Sequence, residues 1–150
     1  MSKNYPHNNK LIEILLVEDN VADARLTVEQ LKQCAVSHHI CVVGDGEKAM
    51  SFLRREGQYL NARRPDLIIL DLNLPRKDGR QVLTEIKNDP VLRQIPVIIL
   101  TTSGAKEDID KSYDLHANCF ITKPMHLDGF TTVVEAIENF WLRVAKLPTQ

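Results

Sequence analysis

The 150-residue sequence has no excess of either charge, with 19 basic side chains against 20 acidic ones. A chain this balanced has no global electrostatic pull toward nucleic acid, so direct binding to it is not expected. The local clusters Arg54-Arg55 and Arg63-Arg64 read as solvated helix and loop residues. Cysteine is scarce. Cys34, Cys41 and Cys119 are odd in number and lack a Cys-x-x-Cys spacing, so they read as small core residues in a reducing cytoplasm. The five histidines form no His-x-x-His or Cys-linked arrangement and receive no catalytic role. No apolar run approaches the length that spans a bilayer, and Ser2 to Lys10 is polar, unlike a signal peptide. A soluble, cytoplasmic protein without membrane attachment is the expectation.

What is present is an alternation. Apolar or β-branched runs at 12–17, 39–43, 67–70, 97–101 and 119–122 read as strands, each followed by a stretch of helical periodicity. The first helix starts with Asn20 as cap and Asp23 three residues later, and buries Ala24, Leu31 and Val28. The second runs from Gly46 to Arg55 with Ala49, Met50 and Leu53 inward, and Gly57 stops it. Gly79 opens the third, which carries Val82, Leu83 and Ile86 and ends at Asp89-Pro90, because a residue before proline disfavours helix. The fourth covers Lys106 to Leu115, and the last runs from Leu127 to Ala145 with Phe130, Val134, Ile137, Phe140, Trp141 and Val144 at helical spacing. Repeated βα units with right-handed crossovers predict an α/β fold: a doubly wound, five-stranded parallel sheet of the flavodoxin-like kind, strand order 2-1-3-4-5, with five helices. Residues 1–10 read as a flexible N-terminal segment, 11–146 as one domain and 147–150 as a tail.

The chemistry gathers at strand ends. Asp71 closes the run Leu67-Ile68-Ile69-Leu70, and a carboxylate too costly to leave unpaired in a core should project from the carboxyl end, where open α/β sheets bind ligands. Glu18 and Asp19 follow the first run in the same way. Neighbouring first and third strands bring the three acids into one pocket, which calls for a proton or a divalent cation; Mg²⁺ is the obvious candidate.

With Thr101 after the fourth strand and Lys123-Pro124 after the fifth, this ordered set resembles the receiver domain of two-component response regulators over about residues 11 to 140. The resemblance implies that Asp71 accepts a phosphoryl group from a histidine of a sensor kinase. Glu18, Asp19, Asp71 and the carbonyl of Asn73 hold Mg²⁺, and Lys123 binds a phosphoryl oxygen ahead of a cis peptide at Pro124. Thr101 donates its hydroxyl to the phosphoryl group, Thr102, Asn73 and Ser103 tune its lifetime, and Phe120 acts with Thr101 as the switch. Phenylalanine here departs from regulators with tyrosine, so it can work only through burial.

Each residue has a plainer reading. Asp19 and Asn20 alone would be a helix cap, an isolated Lys123 a surface lysine, and an isolated Thr101 a β-branched strand residue. Two other chemistries fit less well. An aspartyl-nucleophile phosphatase of the haloacid dehalogenase type needs an acid where Asn73 stands, and a flavin-phosphate site needs a glycine- or hydroxyl-rich cradle in place of Glu18-Asp19. A pseudo-receiver that binds a partner without phosphorylation is the remaining alternative.

The sequence ends at Gln150 with no effector domain after the last helix, so the expected output is a protein contact with a downstream partner, not catalysis. The segment Ser112 to Cys119, with Phe140-Trp141-Leu142 and Leu147-Pro148, resembles the single-domain regulators of cyanobacterial phytochrome histidine kinases. That narrower resemblance implies a light-regulated kinase as phosphodonor. It also implies a homodimer through the last helix and tail, with Phe140, Trp141 and Leu142 as its surface.

Overall fold

The computed structural model describes residues 11–148, so the expectations for residues 1–10 and for the end of the 147–150 tail lie outside the described residues. Strands β1 (Ile12–Val17), β2 (His38–Val43), β3 (Leu67–Leu70), β4 (Val97–Thr101) and β5 (Cys119–Thr122) alternate with helices α1 (Val21–Leu31), α2 (Gly46–Arg54), α3 (Gly79–Asn88), α4 (Lys106–Asp114) and α5 (Leu127–Ile137). Short 3₁₀ turns occupy Gly57–Tyr59 and Leu92–Gln94. The strands form one parallel sheet in the order β2-β1-β3-β4-β5, as the sequence predicts.

Alternation along the central strands divides the core between the two faces of the sheet. Leu15, Val17, Ile68, Leu70, Val97 and Ile99 point to one side, where Met50 and Leu53 of α2 and Val82, Leu83 and Ile86 of α3 cover them. Ile14, Leu16, Leu67, Ile69, Ile98 and Leu100 point to the other, against Ala24 and Leu31 of α1 and Phe130, Val134 and Ile137 of α5. All four residues of β3 are buried because helices cover both faces of it, which is why its sequence is continuously apolar.

Local chemistry sets the helix starts. Asn20, Asp45 and Asp78 cap α1, α2 and α3 with side-chain oxygens, and Gln81 closes a capping box with Asp78. The stop of α2 differs from the expectation. Arg55 takes the left-handed C-cap position (φ 57°), and its N–H reaches back to the carbonyls of the last turn, so the helix has already ended before Gly57, which is itself left-handed at φ 58°.

The last helix also departs from the continuous α-helix expected to Ala145. From Glu138 to Val144 it widens into a π-helical segment. The wider turn moves each side chain back around the axis, so Leu142 joins Ile137 in the core and Glu138 turns inward. Leu142 is therefore not part of an exposed surface, contrary to its sequence reading. Trp141 lies partly against the same core, and Phe140, in edge contact with it at 5.2 Å between ring centroids, is the exposed member of the three.

Candidate functional site

Sheet register assembles the acids. Val17 and Leu70 are paired across β1 and β3, so the next residues on the two chains, Glu18 and Asp71, emerge side by side. The Asp71 N–H donates to the Val17 carbonyl at 3.1 Å and the Glu18 N–H to the Val43 carbonyl at 3.0 Å, which extends the ladder past the strand ends and fixes both backbones. On the other flank, Thr101 pairs with Thr122 and the Lys123 N–H donates to the Thr101 carbonyl at 2.6 Å. The start of α3 closes against this floor at Gly79. Its N–H donates to the Leu72 carbonyl at 2.9 Å, and a Cβ there would collide with the Asp71 carbonyl oxygen and lie 2.6 Å from Leu72 Cα. Glycine is the residue that permits this approach.

An open crevice of about 630 Å³ results, lined among others by Glu18, Asp19, Asn20, Asp23, Asp71, Asn73, Thr102 and Lys123. Lys123, with its side chain 4 % exposed, places Nζ 2.6 Å from Glu18 Oε1, 2.9 Å from Asp23 Oδ2 and 3.0 Å from Asp71 Oδ2. The second oxygens are held by backbone: Glu18 Oε2 accepts from the Asn20 N–H, and Asp71 Oδ1 from the Asn73 N–H, each at 3.1 Å. Burial pushes the Glu18 carboxyl up to about 7, against the lowering pull of Lys123. Burial also works against the Lys123 ammonium, yet the neighbouring carboxylates of Glu18, Asp23 and Asp71 outweigh it and hold the amine above the ordinary lysine range.

Carboxylate oxygens of Glu18, Asp19 and Asp71 lie within 4.8 Å of one another. These donors are all hard oxygens, and with Asp23 the crevice sets four carboxylates against one ammonium. That excess of negative charge and that donor chemistry fit a divalent cation such as Mg²⁺ or Mn²⁺. Asn73 and Thr102 line the same crevice. Thr101 lies beneath it, fully buried, and its hydroxyl meets no hydrogen-bond partner among the described residues. Such a group costs free energy unless a ligand or a rearrangement satisfies it.

Two expected site residues behave differently. The Lys123–Pro124 peptide is trans, as is every peptide bond among the described residues, in contrast to the cis bond that the resemblance implied. Trans is the intrinsically favoured isomer, and Lys123 reaches all three carboxylates from it. Ser103 turns from the crevice, its hydroxyl donating to Asp108 at 2.5 Å, while Arg80 holds the other Asp108 oxygen at 2.7 Å. Phe120 is half-buried against the α2–α3 side of the core, and its N–H donates to the Tyr113 hydroxyl at 3.1 Å. Asp23 is the site residue that sequence reasoning missed. It read as the acid three residues after the Asn20 cap, a place that local helix chemistry explains, and only tertiary packing brings it to Lys123, 100 residues away.

The family model described as the response regulator receiver domain matches residues 14–135. The chain belongs to the response regulator receiver family. Response regulator Rcp1 of Synechocystis sp. is 51% identical to it over 135 residues, covering 90% of this chain and 92% of that protein. The crystal structure of the Mn²⁺-bound form of Rcp1 superposes with a TM-score of 0.90 at 50% identity, over 92% of this receiver and 99% of that chain. The phosphorylated cyanobacterial phytochrome response regulator RcpA matches with a TM-score of 0.90 at 55% identity, over 93% and 99% of the two chains. No described helix of the receiver is long and apolar enough to cross a membrane.

Proposed function

We propose that this receiver accepts a phosphoryl group on Asp71 from the phosphohistidine of a sensor kinase, with Mg²⁺ as cofactor. The observation that carries the reading is the meeting of Asp71 with Glu18 and Asp19 within 4.8 Å and with the Lys123 ammonium at 3.0 Å. An Asp71 carboxylate oxygen attacks phosphorus, the bond to the donor imidazole nitrogen breaks, and the imidazole keeps that electron pair and takes up a proton. Glu18, Asp19, Asp71 and the Asn73 carbonyl would hold Mg²⁺, which when bound would offset the charge on the phosphoryl oxygens. Lys123 offers a second positive charge to a phosphoryl oxygen. Thr101 gives its otherwise unsatisfied hydroxyl to the product, and Phe120 follows by burial alone.

The likeness to Rcp1 and to the phytochrome regulator RcpA supports a phytochrome-type kinase as the donor and the cytoplasm as the place of exchange. Exposed Phe140 and Val144, with the outer edge of Trp141, support a homodimer through the last helix and tail, from which the output passes to a downstream protein. Intact mass after incubation with acetyl phosphate tests the chemistry. A gain of one phosphoryl group is expected with Mg²⁺, is lost with chelator, and is lost in Asp71→Asn; a gain that persists in Asp71→Asn sinks the assignment.

A further inference from the structure

The Lys123 ammonium has three donors and meets three carboxylates. Two of these, Glu18 and Asp71, are also members of the oxygen cluster suited to a divalent cation. Lysine and metal therefore compete for the same two side chains. A cation that drew both away would strand an ammonium whose side chain is 4 % exposed, at a cost that buried unpaired charges always carry.

Asp23 stands outside that competition. It contacts Lys123 at 2.9 Å but is not in the three-carboxylate cluster, and it approaches from α1 rather than from a strand end. Its backbone is anchored on both sides: its N–H donates to the Asn20 side chain at 3.0 Å, and its carbonyl accepts from the Thr27 hydroxyl at 2.9 Å. The carboxylate is a quarter exposed, so its own desolvation cost is smaller than that of Glu18.

We propose that Asp23 is a positioning residue that keeps the Lys123 ammonium paired in both the metal-free and the metal-bound receiver, and so lets a divalent cation claim Glu18 and Asp71. The inference rests on the proposed metal site. It assigns Asp23 an action through Lys123, distinct from simple attraction of a cation by one more negative charge. With Asp23 in place, the ammonium swings on a fixed anchor as the other two carboxylates turn to the metal. Without it, Lys123 holds Glu18 and Asp71 against the metal.

A double-mutant cycle read by Mg²⁺ calorimetry separates the two actions. Asp23→Asn keeps the backbone anchors and should weaken Mg²⁺ binding at least tenfold in the parent, whereas in a Lys123→Met background the same change should cost less than twofold. Asp23→Glu, which retains the carboxylate, should recover part of the loss. If Lys123→Met does not fold, Lys123→Gln serves as the background, with circular dichroism confirming the fold. Equal losses in both backgrounds would reduce Asp23 to a remote charge and overturn the proposal. An unchanged isotherm for Asp23→Asn beside a normal parental one would overturn the proposal and spare the metal site. Absence of Mg²⁺ binding to the parent would remove both.

Discussion

Replacing Lys123 by methionine removes the charge that Glu18, Asp23 and Asp71 share while keeping the length and apolar stem of the side chain. At contacts of 2.6 to 3.0 Å, each ion pair is worth about 6 kcal/mol in an effective dielectric constant of about 20. Most of that is offset by the cost of taking the groups out of water, and removing one member of a buried pair costs about 3–5 kcal/mol net. The full deficit needs an ionised Glu18, whose carboxyl lies at about 7 with Lys123 present and goes higher without it. Urea unfolding followed by Trp141 fluorescence should therefore show Lys123→Met less stable than the parent by about 3–5 kcal/mol at pH 9 in chelator. At pH 6, where Glu18 is protonated, the deficit should shrink. Saturating Mg²⁺ should then stabilise the variant more than the parent, because no ammonium contests the carboxylates. At a hundredfold excess over Kd, binding to the folded state alone contributes about 2.7 kcal/mol. Equal stability at pH 9 without metal, or a smaller gain from Mg²⁺ in the variant, would refute the reasoning.

Other perturbations have equally definite outcomes. The raised Glu18 value means that the folded chain binds more protons than the unfolded one between about 4.5 and 7, so this group's contribution lowers metal-free stability as pH rises through that window. In the same window Mg²⁺ must displace the proton, so calorimetry should show affinity falling toward tenfold per pH unit below about 7. Thr101→Val removes a buried hydroxyl without a partner and should leave unphosphorylated stability unchanged or raised by about 1 kcal/mol in urea melts, while abolishing the phosphorylation-induced shifts seen by amide NMR. Gly79→Ala places a methyl group against the Asp71 carbonyl and should cost about 1–3 kcal/mol in thermal melts and slow acetyl phosphate labelling. Leu142→Ala should cost about 2–5 kcal/mol at every protein concentration, as a core residue of one chain does and a dimer contact does not.

Much of the molecule was legible in the sequence because its signals are local. Continuous apolar runs mark strands covered on both faces, side-chain caps mark helix starts, and alternation of the two elements leaves one economical topology. The acids of the crevice were legible for the same reason: a charged residue that closes a buried strand has one direction in which to go. Other features depend on long-range packing. Arg55 ends α2 by turning left-handed itself, although glycine, also left-handed, stands two positions later. The stripe on the last helix has the spacing of an α-helix, but its register slips at Glu138 as the π-helical segment seats Leu142 in the core.

The sequence by itself determined the fold class, the strand ends on which Glu18, Asp19, Asp71, Thr101 and Lys123 stand, and the hard-oxygen character of the crevice. Tertiary structure alone decided which carboxylates the lysine holds. Helix α1 crosses the floor of the sheet at a height set by Ala24, Thr27 and Leu31, and that packing delivers Asp23 to Lys123. A pairing between residues 100 apart carries no local pattern, since its geometry arises only once α1 has packed on the sheet whose last strand leads into Lys123.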